Sequence, residues 1–177
     1  MNFHKIVRGW CKIYKPMLDN EENGNRRFYL TDSTAGVVEM AKNISDKFNP
    51  FVIMESDVDG SGQFTRPDFN YPIYFFVKAE KMSDGDEAWA AKEEALMHCK
   101  KFMTWLRQKR EEALANDDID GDFARIDLEN TYVTINSTGP LENGWYGVLL
   151  QISRTEPLDL CVDPNDYDDN EDNGNHG

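Results

Sequence analysis

The chain has 177 residues, 40% of them hydrophobic and 12% aromatic, which suits one domain around a single sizeable core and not two independent ones. With 33 acidic against 19 basic residues the formal net charge is −14, which argues against a basic nucleic-acid-binding surface and so against autonomous DNA binding. No stretch reaches the apolar length of a membrane span, and the N-terminal MNFHKIVRGWCKIYKPM lacks the continuous apolar centre of a signal peptide.

In residues 3–17, Phe3, Ile6, Val7, Trp10, Cys11, Ile13, Tyr14 and Met17 recur at helical spacing, which predicts a first helix with Pro16 near its end. LDNEENGN reads as a loop and RRFYL as a short strand. A second helix is expected in TDSTAGVVEMAKNISDKFN, where Thr31, Asp32 and Ser33 are possible N-caps before Val37, Val38, Met40 and Ile44. Asn49-Pro50 closes it, since proline forces its predecessor out of the α region.

FVIMES then reads as a strand, and the polar stretch DVDGSGQFTRPD as a connection. In NYPIYFFVKAEK, Tyr71, Ile73, Phe75, Val77 and Ala79 alternate with Tyr74, Phe76, Lys78 and Glu80, the clearest strand pattern in the chain. SDGD caps the longest helix, DEAWAAKEEALMHCKKFMTWLRQKREEALAN, whose apolar side is expected to carry Trp89, Leu96, Cys99, Met103 and Leu106, widened by Ala88, Ala95 and Phe102. Acidic residues crowd its first turn, as the helix dipole favours.

FARIDLENTYVTIN and WYGVLLQISR read as two further strands joined by STGPLENG, with LDLCV as a short extension. The expected class is α+β: an antiparallel or mixed sheet of four to five strands, with one long and two shorter helices packed on one side of it. Residues 1–162 form the expected domain. The acidic end, DPNDYDDNEDNGNHG in 163–177, has almost nothing to bury and reads as a solvated, disordered tail.

Cys11, Cys99 and Cys161 are widely spaced and without a CxxC pair, so they read as buried thiols and give no support to a zinc site. The stretch DVDGSGQFTRPD spells a calcium loop more closely. An EF-hand takes ligands at loop positions 1, 3, 5, 7, 9 and 12, which fall here on Asp57, Asp59, Ser61, Gln63, Thr65 and Asp68, with Gly62 at the turn. Yet both flanks read as strands, and Pro67 and Pro72 oppose an exiting helix. A second near-match, Asn116 to Asp127, sets Asp118, Asp120 and Gly121 at positions 3, 5 and 6 after the long helix, but exits into a strand. Two readings of 57–68 follow: a calcium-binding loop, or a polar connection that shares its spelling because Asp, Gly and Ser also make turns.

Catalytic motifs are not legible. His4, His98 and His176 stand in no metal-ligand spacing, and His98 reads as a surface or boundary residue. No GxxxxGK[ST], GxGxxG or GxSxG stretch occurs, so a non-enzymatic role without a cofactor is expected, calcium being the alternative.

GPLENGWYGVLLQISRTEPLDLCVDPNDY, together with FYLTDSTAGVVEMAKNISDKFNPFVIMES, resembles small virion proteins of tailed phages and prophages of Bacteroides-like bacteria. In layout these resemble tail-terminator and head-to-tail connector proteins. The resemblance implies a structural virion component that forms or joins a ring at the head-tail junction, with itself, portal, adaptor or tail-tube proteins as partners and DNA passing through without sequence-specific binding. An acidic lumen fits that passage, because it repels phosphates instead of trapping them. On this reading 57–72 and STGPLENG are candidates for reaching neighbouring subunits, with Trp145 and Tyr146 as interface anchors. The alternative role is a calcium-binding regulatory module on loop 57–68.

Overall fold

The computed structural model describes residues 3–56, 59–63, 66–81, 84–119, 121–138, 141 and 143–155; for 59–63, 66–68 and 130–138 it describes the backbone. The first helix, α1 (Phe3–Ile13), buries Phe3, Ile6, Val7, Trp10 and Cys11 on one face. It ends before Pro16, which cannot continue a helix, and Leu18 beyond it takes a left-handed φ of 45°. The chain then returns through β1 (Phe28–Thr31) into α2 (Thr34–Asn43). Of the three possible caps the structure uses Ser33, whose Oγ accepts the Gly36 N–H at 3.2 Å. Gly36 lets α2 start hard against β1: a Cβ there would lie 2.0 Å from Thr31 Oγ1.

After a 3-10 turn at Asp46–Phe48 and a cis Asn49-Pro50 peptide, β2 (Phe51–Glu55) runs parallel to β1, paired from Phe28↔Val52 to Thr31↔Glu55. A parallel pair needs a crossover, and α2 supplies it. β3 (Asp59–Gln63) and β4 (Arg66–Lys78) follow as an antiparallel hairpin, then α3 (Gly85–Ala115), β5 (Ile126–Thr138) and β6 (Trp145–Thr155). The sheet is mixed, in the order β1-β2-β4-β6-β5, with β3 alongside the first half of β4. The α+β class, the mixed sheet and the long helix match expectation. β3 is an addition, taken from the stretch that reads as a polar connection.

One expectation is corrected. The helices do not share a side of the sheet, because α1 and α3 cover one face and α2 covers the other. The first core joins Trp10 and Phe102 to Val52, Met54, Ile73, Phe75, Val148 and Leu150. The second joins Val37, Ala41 and Ile44 to Phe51, Ile53, Tyr74, Phe76 and Trp145. Alternation along β2 and β4 serves both cores, which is why all five residues of β2 are buried.

Two assignments on α3 also change. Trp89 is 60% exposed, while the buried arc runs through Ala91, Ala95, His98, Cys99, Phe102 and Leu106. His98, read as a surface or boundary residue, is 1% exposed. The arc is wide because α3 rests on the sheet beneath it and meets α1 along its flank, where Trp10 and Phe102 pack with ring centroids 5.1 Å apart.

Candidate interaction surface at the β5 edge

The thirteen residues of β5 form one border of the sheet, and among the described elements only β6 pairs with them. An edge strand presents unpaired N–H and C=O groups to any strand that can lie beside it. α3 does not cover this border, because its axis lies mainly over β4 and β6. Two shallow depressions result. Met103, Thr104, Arg107 and Leu128 line one of about 270 Å³. Arg110, Arg125, Asp127, Glu129 and Thr155 help line another of about 320 Å³. Arg110 is half-buried with its Nε out of solvent and unbonded, and Arg107 is exposed; among the described residues neither guanidinium has an ion-pair partner.

The loop leading into β5 is fixed from beneath. Asp122 reaches back to the guanidinium of Arg154 at 2.5 Å, and Arg154 is 1% exposed. This is the second calcium-like stretch, and two of its acids have other duties: Asp122 holds Arg154, and Asp127 Oδ1 accepts the Glu129 N–H at 2.9 Å, while the Asp118 carboxyl lies against Gly121. Asp120 lies outside the described residues. In the first stretch, Asp57 and Thr65 also lie outside them, while the backbone of Asp59, Ser61 and Gln63 runs extended in β3 and that of Asp68 in β4, with Ser61 opposite Asp68. Both flanks are strands, as read from the sequence. Among the described residues no group of three or more His, Cys, Asp or Glu side chains is arranged to hold a metal.

Trp145 and Tyr146 require a correction. Neither is available to a neighbouring subunit, because Trp145 is 0% and Tyr146 3% exposed. Trp145 packs edge-on against Phe51 in the second core, with Lys78 over its ring, while Tyr146 belongs to the first core. Alternation along β6 sends them to opposite faces. The described part of STGPLENG likewise serves its own chain: Asn143 Nδ2 donates to the carbonyls of Ala41 and Lys42 at the C-terminal end of α2. The LDLCV extension, with Cys161, and the acidic tail, with His176, lie outside the described residues.

Three buried polar clusters were not legible in the sequence. His98 Nδ1 lies 2.8 Å from Tyr14 Oη, and its Nε2 faces Glu94 Oε1 at 3.5 Å. Burial pulls the His98 pKa below its ordinary value, and the Glu94 carboxylate only partly opposes this. Glu55 accepts from Tyr74 Oη at 2.6 Å and from Thr34 Oγ1 at 3.0 Å, tying α2 to the sheet. Burial, followed by the Glu55 contact, raises the Tyr74 pKa. Asp19 accepts the backbone N–H groups of Arg27 and Phe28 at 2.5 and 3.0 Å and faces Arg8 Nε at 3.5 Å.

The same burial disposes of the described thiols as nucleophiles. It pushes Cys99 up to about 12 and Cys11 well above its ordinary value, so both stay protonated and shielded. The Glu55 and Asp19 clusters join a helix or a loop to the sheet, the His98 cluster joins α3 to the end of α1, and none of their residues lines the depressions beside β5. Compared with models of known protein families and with curated protein sequences, the chain matches none.

Proposed function

We propose that this chain works by assembly and not by turnover, as a structural virion protein that forms or joins a ring at a phage head-tail junction, as terminator, neck or connector. The observation that carries the assembly reading is the border at β5, which among the described residues is uncovered: a long edge strand, shallow apolar ground beside it, and two arginines without ion-pair partners among those residues. Strand addition to such an edge is a standard mode of protein recognition. The charge of −14 supports the finer reading, since DNA slides past acidic walls without being held. Portal, adaptor or tail-tube proteins are the partners that this role implies.

Sedimentation velocity of the purified full chain tests assembly, and electron microscopy of intact particles tests location. The expected results are a concentration-dependent closed oligomer and ring-shaped density at the neck. A chain that stays monomeric across the concentration range, alone and with portal or tail-tube protein, would overturn the proposal.

A further inference from the structure

The ground beside β5 gathers arginines on an otherwise acidic chain. In a chain of net charge −14, Arg107, Arg110 and Arg125 line its depressions, around the apolar Met103 and Leu128. Asp127 and Glu129 stand at the same end and offset part of that charge, whereas Arg107 and Arg110, on α3, have no ion-pair partner among the described residues. An occupant suited to this ground offers an extended backbone for the open edge, an apolar side chain at every second position, and negative charge close by. The sequence beyond β6 has that composition. Leu158, Leu160 and Val162 alternate with Asp159 and Cys161, and six acids follow between Asp163 and Asp172.

We propose that residues 158–172 of one copy add to the outer edge of β5 in a second copy, with Leu158, Leu160 and Val162 set against Met103 and Leu128 and the acids meeting Arg107 and Arg110. The inference rests on the assembly reading and supplies its contact. The path that the chain would have to take favours a neighbour's edge over the segment's own, although its length would just suffice for either. β6 ends at Thr155, next to the pairing of Arg154 with Ile126, where β5 begins. From Thr155 to Leu158 the chain spans about 10 Å at full extension. The far side of its own β5 is two strand spacings away, about 9.5 Å in a straight line. That line crosses the entry of β5, through which Ala124 and Arg125 already pass. A neighbour's edge needs no such crossing, and donation from each copy to the next is the head-to-tail contact that closes a ring.

The test is disulfide capture in the full chain. Acceptors carry Cys161→Ser with either Asp127→Cys or Glu129→Cys, and are mixed under mild oxidation with a mass-tagged wild-type chain whose Cys161 is intact; the buried Cys11 and Cys99 stay silent. A control acceptor carries its cysteine at the exposed Glu22, on the β1 side. The expected result is a mixed covalent dimer with a β5 acceptor and not with the control, its yield falling about tenfold when the acceptor also carries Arg107→Glu and Arg110→Glu. Equal capture by the control, or no capture, overturns the proposal. So does a disulfide formed within single dilute chains that carry Glu129→Cys alone. Sedimentation of the same samples separates the two readings: oligomers without capture remove the arm and leave assembly standing, and monomers without capture remove both.

Discussion

The two end strands of the main sheet order, β1 and β5, solve the same problem in opposite ways. At β1 the edge is four residues long and is held by its own surroundings: Asp19 takes the N–H groups at its start, Arg27 donates to the Pro50 carbonyl, and Arg26 lies over the Tyr29 ring. At β5 the edge is thirteen residues long, the long helix stops short of it, and two arginines beside it have no ion-pair partner among the described residues. Short edges with local ties resist pairing with other chains, whereas long open ones invite it. The contrast teaches that the two edges differ in how they are tied to their own chain, and on the assembly proposal the β5 edge is the one kept for contact.

The strongest way to break this comparison is at the closed border. Asp19→Ala leaves the buried Phe28 N–H and the part-buried Arg27 N–H without their acceptor, while Arg8 keeps Glu21, and should lower stability by about 2 kcal/mol in chemical denaturation. Its oligomeric state, measured under folding conditions, should not change. Next comes Asn143→Ala, which frees two carbonyls at the end of α2 and should cost about 1–2 kcal/mol, again without touching assembly. At the open border the pattern should invert. Leu128→Lys, at a half-buried site, should cost about 1 kcal/mol or less while abolishing the oligomer that the assembly proposal expects in sedimentation.

The smallest effect concerns pH and belongs to neither border. Burial lowers the His98 pKa in the folded chain, so on acidification the unfolded chain takes up its proton first. The stability tied to this group is therefore full above about pH 6.5 and is lost as the pH falls through the folded value. Tyr14 faces it from α1 and Glu94 from its own helix. Denaturation midpoints between pH 7 and pH 5 should fall less steeply in His98→Gln than in the parent; identical slopes would show that His98 does not contribute.

Much of the fold was legible because its elements have strong periods. β4 declares itself through alternation from Tyr71 to Ala79, and α1 through Phe3, Ile6, Val7 and Trp10. β3 escaped because DGSGQ has no apolar alternation and is built from turn-forming residues, so the hairpin it makes with β4 carries no strand pattern of its own. The side of the sheet that α2 covers was not legible either. An apolar stripe shows that a helix packs, but not on which face.

Trp89 and His98 were misplaced for one reason. Residue type suggested an inward tryptophan and an outward histidine, whereas contact with α1 rotated the buried arc toward His98. Trp145 and Tyr146 read as anchors because large aromatics often are, and only the packing reveals that two cores had already claimed them. The open border was written in the sequence as a strand. That it would lie at the edge, with α3 falling short of it, depends on strand order, which no local pattern encodes.

The most direct test of the central claim is sedimentation velocity on the full chain beside Leu128→Lys, in EDTA and again in millimolar calcium. The account expects a closed oligomer for the parent that is indifferent to calcium, and a folded monomer for the variant. A parent that stays monomeric until calcium is added would contradict it and move attention to Asp57–Asp68. A variant that assembles as well as the parent would show that β5 is not the contact.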